Sequence, residues 1–392
     1  MKKLMILGAG VYQVPLIKQA KKMGIYTIVV SIKGKYPGFS LADKVYYEDI
    51  TNYKKILEIA KAEKIDGIMT AGTDVAVITI GYVCDKLHLK GLSMKSAERA
   101  TNKMLMKNQF EKNGVRTARF REVAFNLNTL IKETSELTFP LIFKAVDTSG
   151  SRGIKKVNSI SEFEDAMNYV KKATKLDYFI VEEFIVGEEF GAQAFVQDGE
   201  IQFILPHGDY VFTGETGVPI GHFAPYNLNH EIIVDTKKQL ERAIKALELD
   251  NCAINADFIL HNGKTYVLEI GGRSGATCLA ELTSIYYNFN YYEKMIQVAL
   301  GESVDFSSTY SIPNASKLLL SKKSGKLEEQ YILNSIDSNV VELQFDYNIG
   351  DNINSFKVGP DRIGHVITKG KTLDQAYQLL EETIKNIYIK VN

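Results

Sequence analysis

At 392 residues the chain is too long for one ordinary hydrophobic core, and it predicts roughly two to four domains. Hydrophobic residues make up 45% of it and charged residues 24%, a balance that excludes a largely disordered chain. Lys plus Arg equal Asp plus Glu at 47 each, so no basic excess favours nucleic acid or an anionic membrane as a partner.

The sequence also gives no signal for export or membrane insertion. The N-terminus MKKLMILGAG has an apolar run of only four residues, which is too short for a signal peptide. No stretch reaches the roughly 18 apolar residues of a membrane helix. Cys84, Cys252 and Cys278 lie far apart, without the spacing of a zinc site or a disulfide framework. We therefore expect a protein of the reducing cytoplasm.

The first part of the chain alternates between strands and helices. These elements are predicted in turn at 4–7, 11–23, 27–31, 53–62, 67–70 and 75–87. Such an order indicates a parallel sheet with crossover helices, so we predict a Rossmann-like α/β domain at 1–98.

The middle of the chain changes to longer, antiparallel strands. Residues 96–114 predict one helix that leads into a central domain at 99–308. Turn signals at Asp198-Gly199 and Asn262-Gly263 predict two hairpins in that domain.

The remaining residues, 309–392, carry short predicted strands and a final helix at 373–385. We predict that they form a separate, small α+β cap. The expected fold class is therefore α/β at the N-terminus and α+β after it.

The motif GAGVYQ, from Gly8 to Gln13, follows the first predicted strand. Glycines at such a position let a phosphate approach a helix N-terminus. However, Gln13 stands where a dinucleotide-binding loop has a third glycine, and no acid follows the second strand to bind a ribose. The alternative is a tight strand-to-helix turn that binds no cofactor.

A second motif, LIFKAVDTSGSRGIKKV, places Lys144 in an otherwise apolar strand, before a loop of small residues at 147–153. Glycines in such a loop let backbone N–H groups fold over an anion, and the lysine adds a fixed cation. The alternative is a flexible hairpin loop beside a lysine whose charged end reaches solvent.

Acidic residues follow on later strands. VEEFIVGEEF carries four glutamates, while INADFIL and VLEIGGRSGAT carry Asp257, Glu269 and Arg273. Two carboxylates on adjoining strands suit magnesium, and an arginine beside them suits a phosphoryl group. The alternatives are solvated strand faces and a simple ion pair between Glu269 and Arg273.

The pairing of the two carboxylates depends on strand register. A strict two-residue turn at Asn262-Gly263 sets Asp257 opposite Leu268 and leaves Glu269 on the other face. A three-residue loop that includes Lys264, or a bulge, sets Asp257 opposite Glu269. We predict this shifted register.

The order and spacing of these motifs, at about 101–277, resemble the ATP-grasp superfamily. Its members include biotin carboxylase, carbamoyl-phosphate synthetase, glycinamide ribonucleotide synthetase and D-alanine ligase. The carboxylate-amine ligase branch, with the L-amino acid ligases, is most similar. The resemblance implies a central ATP-grasp domain with a lid subdomain at about 118–182.

The resemblance also implies roles for single residues. Four groups of residues would bind ATP. Lys103 and Lys144 would bind the phosphates, and the lid over them would include Ser149, Gly150 and Ser151. The hinge would consist of Glu182, Glu183, Phe184 and Ile185, and Glu189 would bind the ribose. Asp257 and Glu269 would bind Mg²⁺, for which Mn²⁺ would substitute. Arg273 and Lys144 would be catalytic, and Arg273 would bind the γ-phosphate or the acyl phosphate.

The implied reaction joins a carboxylate to an amine through an acyl phosphate and releases ADP and phosphate. The partners would be ATP and small carboxylate and amine substrates such as amino acids, in a homodimer as in similar enzymes. The segment at 213–228 would lie on the acceptor side, where His222 would act as a catalytic base. The alternative for His222 is a structural role, since no partner residue is evident from the sequence.

One departure from the family pattern is Gly271 in EIGGR, where many members have asparagine, so one metal ligand would be missing or replaced by water. Three other functions stay open. They are a bicarbonate-activating enzyme of the biotin carboxylase or carbamoyl-phosphate type, a nucleotide-sensing protein without turnover, and a dehydrogenase that uses GAGVYQ.

Overall fold

The N-terminal part of the chain is a parallel sheet covered by helices. The computed structural model describes residues 1–148, 152–212 and 218–392. The first elements are β1 (Lys3–Leu7), α1 (Val14–Lys22), β2 (Tyr26–Ser31), β3 (Lys44–Tyr47), α2 (Tyr53–Glu63), β4 (Gly67–Met69), α3 (Val77–Leu87) and α4 (Met94–Thr101). The strands lie in the order β3-β2-β1-β4 and all pair in parallel. This confirms the predicted Rossmann-like sheet.

Burial of both sheet faces explains the apolar strands. Side chains alternate along β1, so Leu4 and Ile6 pack into one hydrophobic cluster while Met5 and Leu7 pack into another. A parallel sheet requires this arrangement because its crossover helices cover both faces.

The helix predicted at 96–114 is in fact two helices. Helix α4 ends at Thr101, and α5 (Lys103–Lys112) begins directly afterwards. Between them Asn102 has extended backbone angles, and its side-chain oxygen accepts hydrogen bonds from the N–H groups of Met104 (2.9 Å) and Leu105 (3.0 Å). The prediction of one helix was wrong because Asn102 caps a new helix rather than continuing the old one.

A four-stranded antiparallel sheet follows. Its elements are β5 (Phe120–Ala124), α6 (Leu127–Glu133), β6 (Leu141–Lys144), β7 (Ile154–Val157), α7 (Phe163–Lys171) and β8 (Tyr178–Glu183). The strand order is β5-β8-β6-β7. Phe143, Phe163 and Phe179 pack against one another in its core.

A second, larger sheet forms the centre of the molecule. The remaining elements are β9 (Glu188–Gln197), β10 (Glu200–Val211), β11 (Pro219–Ala224), α8 (His230–Leu247), β12 (Cys252–His261), β13 (Lys264–Gly271), α9 (Leu279–Tyr287), α10 (Tyr291–Ala299), β14 (Asn314–Leu319), β15 (Gly325–Ile332), β16 (Val340–Phe345), β17 (Asn352–Ile353), β18 (Gly364–Lys369), α11 (Leu373–Lys385) and β19 (Ile387–Val391). Eight strands pair in the order β13-β12-β9-β10-β11-β14-β18-β16.

The C-terminal strands extend this central sheet instead of forming only a sheet of their own. Strand β14 pairs with β11 through four residue pairs, and β18 and β16 follow it. A second, three-stranded sheet, β17-β15-β19, completes the C-terminal region. Within the described ranges, no helix is both long enough and apolar enough to cross a lipid bilayer.

Candidate functional site

One face of the central sheet carries four of the predicted site residues, Glu189, His222, Asp257 and Glu269. Asp257 on β12 lies opposite Glu269 on one side and Gly191 of β9 on the other. Because side chains alternate along strands, the residues of this face, which we call the ligand face, are Glu189, Asp257, Glu269, His207, Asp209 and His222.

The predicted register of the two carboxylates is confirmed. The turn itself is the strict two-residue type, since His261 pairs with Lys264, but the register then shifts between Asp257 and Phe258. Phe258 pairs with Val267 and Asp257 with Glu269, so Leu268 is the extra residue of a bulge.

The two paired carboxylates fit a divalent cation. The side chain of Asp257 is exposed to solvent, but protein atoms surround its carboxyl group closely enough to desolvate it. Desolvation raises its pKa to about 7, and the neighbouring carboxylates of Glu269 and Asp209 add to the rise. A cation between Asp257 and Glu269 would relieve this repulsion, and carboxylate oxygens are the ligands that Mg²⁺ prefers.

The predicted phosphate lysines lie beside these acids. Lys103 is the first residue of α5, and its Nζ lies 3.5 Å from Glu269 Oε1 and donates to Thr148 O. Lys144 Nζ donates to Glu182 Oε2 at 2.9 Å. Although burial opposes the charged form, Glu182 raises the pKa of Lys144.

A third lysine was missed by the sequence analysis. Lys107 is fully buried, one helical turn after Lys103, and its Nζ lies 3.3 Å from Glu182 Oε2. Burial lowers its pKa to about 8. The i, i+4 spacing from Lys103 was the available signal, because it sets both lysines on one face of α5. The other oxygen of Glu182 has no partner among the described residues.

The other predicted ATP-binding residues lie at the end of β8, at the start of β9 and on the segment that joins these strands. Glu183 accepts hydrogen bonds from Arg119 (3.0 Å) and from the N–H of Thr138 (2.8 Å). The N–H of Phe184 donates to Pro140 O at 2.8 Å, Ile185 is half-buried, and Glu189 is exposed at the start of β9. The predicted lid residues Ser149, Gly150 and Ser151 lie outside the described residues.

Arg273 has an acidic partner from the N-terminal sheet. Its Nε and Nη2 donate to the two oxygens of Asp74 at 2.8 and 2.9 Å. Burial opposes the charged form of Asp74, but Arg273 outweighs it and lowers the pKa. The sequence analysis predicted Arg273 at a phosphoryl group, with an ion pair to Glu269 as the alternative. It did not predict Asp74, because nothing in the local pattern links positions 199 residues apart.

His222 also has a partner that the sequence analysis missed. Its Nδ1 lies 2.6 Å from Asp209 Oδ1, and Nδ1 of His207 lies 3.0 Å from the same oxygen. Burial alone would raise the pKa of Asp209, but the two imidazoles lower it. The sequence feature that could have predicted this partner is strand alternation, which places His207 and Asp209 on one face of β10, where Asp209 pairs with His222 of β11.

Gly191 makes room for this group. A Cβ atom at that position would lie 2.2 Å from Cε1 of His207, so the ring lies over the glycine and points towards the row that holds Asp257. His207, Asp209 and His222 also offer ligand atoms within 4.8 Å of one another. The hydrogen bonds to Asp209 already occupy one nitrogen of each ring.

The motif GAGVYQ forms a closed turn. The side-chain oxygen of Gln13 accepts from the N–H of Gly10 at 2.9 Å, and its amide donates to Ala71 O at 2.6 Å. A Cβ at Gly8 would lie 2.8 Å from the Gln13 oxygen. The Gln13 side chain therefore fills the space near these glycines, which favours the interpretation as a tight turn.

A cavity of about 580 Å³ adjoins the ligand face. It lies between the start of α1, the loop at 275–278, and strands β16 and β18. Gly275 lines it, and the N–H of Gly275 donates to Gln193 of β9 at 2.8 Å, two residues from Gly191.

The cavity wall contains a carboxylic acid, Glu281, beside the hydroxyl group of Tyr292. Tyr292 donates a hydrogen bond to Glu281 Oε1 at 3.0 Å, and within the described part of the chain no lysine or arginine forms an ion pair with Glu281. Burial raises the pKa of this carboxyl group. Such a group suits a ligand that brings a cation or an N–H donor.

Two family models match parts of the chain. The family model "ATP-grasp domain" matches residues 137–281, and "L-amino acid ligase C-terminal domain 2" matches residues 317–392. Phosphoribosylamine–glycine ligase of Methanococcus maripaludis is 27% identical over 282 residues. The match covers 67% of this chain and 63% of that protein, so the chain spans less than two thirds of this curated relative.

Solved structures match over the whole chain. The crystal structure of phosphoribosylglycinamide synthetase from Anaerococcus prevotii is 38% identical with a TM-score of 0.88, covering 100% of both chains. L-amino acid ligase from Bacillus licheniformis is 19% identical with a TM-score of 0.82, covering 100% of this chain and 99% of that one, which shows a shared fold. The chain belongs to the ATP-grasp superfamily.

Proposed function

We propose that the protein is an ATP-dependent carboxylate-amine ligase that forms an amide through an acyl phosphate and releases ADP and phosphate. The main support is the ligand face, on which Asp257 and Glu269 are paired across two strands. Lys103 lies beside Glu269, and Arg273 lies close enough to both acids to interact with them electrostatically. Together these groups provide the cations and metal ligands that a triphosphate requires.

The first step activates the carboxylate. Its oxygen attacks the γ-phosphorus of ATP, the bond from that phosphorus to the β,γ-bridging oxygen breaks, and ADP leaves. Lys103, Lys144 and Arg273 would neutralise the moving phosphoryl group. Magnesium, held by Asp257 and Glu269, would supply further charge neutralisation on the phosphate oxygens.

The second step forms the amide. The amine nitrogen attacks the acyl carbon, the bond from that carbon to the phosphate oxygen breaks, and inorganic phosphate leaves. Nε2 of His222 would take the amine proton, because Nδ1 is directed to Asp209. In this proposal Asp209 holds the imidazole in the tautomer that the step needs.

The cavity beside the loop at 275–278 is the proposed acceptor site. Its position next to Gln193 brings a bound amine close to the ligand face, and the Glu281 carboxylate provides an acceptor for the amine N–H groups. The names of the relatives suggest which substrates to test, namely phosphoribosylamine with glycine, and pairs of amino acids.

A product assay tests this function. The full chain with ATP and Mg²⁺ is incubated with these substrate pairs, and products are identified by mass spectrometry. An amide together with ADP and phosphate is expected. AMP and pyrophosphate as products would contradict the acyl-phosphate route, whereas ADP release that needs only bicarbonate would favour the bicarbonate-activating alternative.

Lys144→Ala is the variant that tests the nucleotide site. We expect turnover to fall by at least about 100-fold, because a buried cation beside the phosphates is lost. Lys155→Ala is the control, since Lys155 is exposed on the neighbouring strand β7. Circular dichroism checks the fold of both variants, and full activity of folded Lys144→Ala would contradict the assignment.

Four further expectations remain predictions. They are the domain limits at 98 and 308, a homodimeric assembly, substitution of Mg²⁺ by Mn²⁺, and a cytoplasmic location.

A further inference from the structure

Asp74 brings the N-terminal sheet into contact with the predicted phosphate site. It lies on the loop after β4, and its carboxylate forms a bidentate ion pair with the guanidinium of Arg273. A third N–H group of the guanidinium, on Nη1, donates to Ser274 O at 3.3 Å. Among the residues that the structure describes, these contacts use three of the five N–H donors of Arg273, which leaves two for a phosphate.

Gly271 provides the space for this contact. A Cβ atom at Gly271 would lie 3.2 Å from Asp74 Oδ1. Gly271 is two residues after Glu269 on β13, so its missing side chain would point to the ligand face. The carboxylate of Asp74 therefore lies over the ligand face at Gly271, where the strand has no side chain.

The backbone holds the two loops together at the same place. The N–H of Gly72 donates to Ser274 O at 3.3 Å, and Asp74 O accepts from the N–H of Val77, the first residue of α3. The Asp74 side chain is only 26% exposed and that of Arg273 is 16% exposed, so the pair is largely shielded from solvent. Charge-assisted, bidentate pairs of this kind fix the orientation of a guanidinium.

We propose that Asp74 is a positioning residue that orients Arg273 towards the terminal phosphate of the nucleotide. This inference rests on the proposed function, because it needs ATP to bind at the ligand face. A preorganised arginine loses no side-chain freedom when the phosphate arrives, so the interaction is stronger than with a mobile side chain. The N-terminal sheet would then contribute to recognition of the γ-phosphate without touching the nucleotide.

The preference of the protein for a triphosphate over a diphosphate tests this directly. Calorimetry on the full chain with Mg²⁺ gives the dissociation constants of AMP-PNP, a non-hydrolysable ATP analogue, and of ADP. Their ratio reports the contribution of the γ-phosphate. We expect Asp74→Asn to reduce this preference by about tenfold with little change in ADP affinity, because one charge-assisted pair is lost.

Two further variants show whether the effect passes through Arg273. Gly271→Ala should reduce the preference in the same direction, because its added Cβ presses on the Asp74 carboxylate. In an Arg273→Ala background, Asp74→Asn should have no further effect on the preference. Asp235→Asn is the matched control, since Asp235 pairs with Arg116 at 2.6 Å and a similar exposure elsewhere in the molecule.

Each possible result either supports or overturns the positioning role of Asp74. An unchanged preference in folded Asp74→Asn, or an equal loss with and without Arg273, would overturn the positioning role while leaving the proposed function standing. If the wild-type chain binds neither nucleotide, the proposed function falls and the positioning role falls with it. Thermal unfolding of each variant shows that the fold is kept.

Discussion

In the proposed metal site, metal binding depends on the protonation of a single residue, Asp257. Desolvation and the nearby carboxylates raise its pKa to about 7, so we expect a proton to compete with the metal for this carboxyl group near neutral pH. A metal ligand must lose this proton before it binds. The affinity for Mn²⁺ should therefore rise about tenfold between about pH 6 and pH 8 and change little at higher pH.

Electron paramagnetic resonance measures free Mn²⁺ in this titration. Asp257→Asn serves as the comparison, and it should bind Mn²⁺ weakly at every pH. An affinity that stays constant over this pH interval in the wild type would show that Asp257 does not bind the metal.

Glu281 gives a second prediction at the residue scale. If its carboxylate accepts a hydrogen bond from the amine substrate, Glu281→Gln should raise the KM for the amine by about tenfold and leave the KM for ATP unchanged. Steady-state kinetics with the substrate pair found in the product assay measures both constants. Glu248→Gln is a control away from the cavity, since Glu248 pairs with Lys95 and Arg99. Equal changes in both constants would argue against a direct contact.

Single residues show what the sequence could predict. The register of Asp257 and Glu269 was predictable because alternation along a strand allows only two outcomes, and a metal site requires one of them. Asp209 and Asp74 were not predicted, because each meets its partner through tertiary structure. His222 reaches Asp209 across a strand pair, and Arg273 reaches Asp74 from a distant loop.

At the scale of elements, the break at Asn102 positions a site residue. Its side chain caps α5, whose first residue is Lys103. Asn102→Ala should lower the free energy of unfolding by about 1 kcal/mol, the typical cost of losing an N-cap. It should also weaken ADP binding, because the first turn of α5 frays.

Urea denaturation and calorimetry measure these two effects. Asn126→Ala is the control, since Asn126 caps α6 by accepting from the N–H of Thr129, and α6 contributes no predicted site residue. The control should lose similar stability but keep its ADP affinity. Equal losses of ADP affinity in both variants would show that the Asn102 cap has no specific effect on the nucleotide site.

Helices and strands with strong periodicity were predicted well. The final helix was predicted at 373–385 and spans Leu373–Lys385. The break at Asn102 was missed because asparagine at this position fits both a helix interior and a cap, and only the extended backbone distinguishes them. The pairing of β14 with β11 was missed because partners in a sheet are set by tertiary packing.

At the scale of the whole molecule, the continuous central sheet gives a prediction about truncation. Removing residues 309–392 would strip β14 from β11 and leave an unpaired edge. Exposed edges of this kind pair with other chains. We expect the truncated chain to aggregate in size-exclusion chromatography under conditions where the full chain does not. A monodisperse truncated chain that binds ADP would show instead that residues 309–392 fold as an independent cap.

The cavity is built from three distant parts of the chain: the start of α1, the loop at 275–278 and the strands near the C-terminus. The phosphate-side residues come from the middle of the chain, apart from Asp74. Because these two groups of residues come from separate parts of the chain, substitutions that line the cavity can alter the proposed acceptor site while the proposed phosphate site keeps its residues.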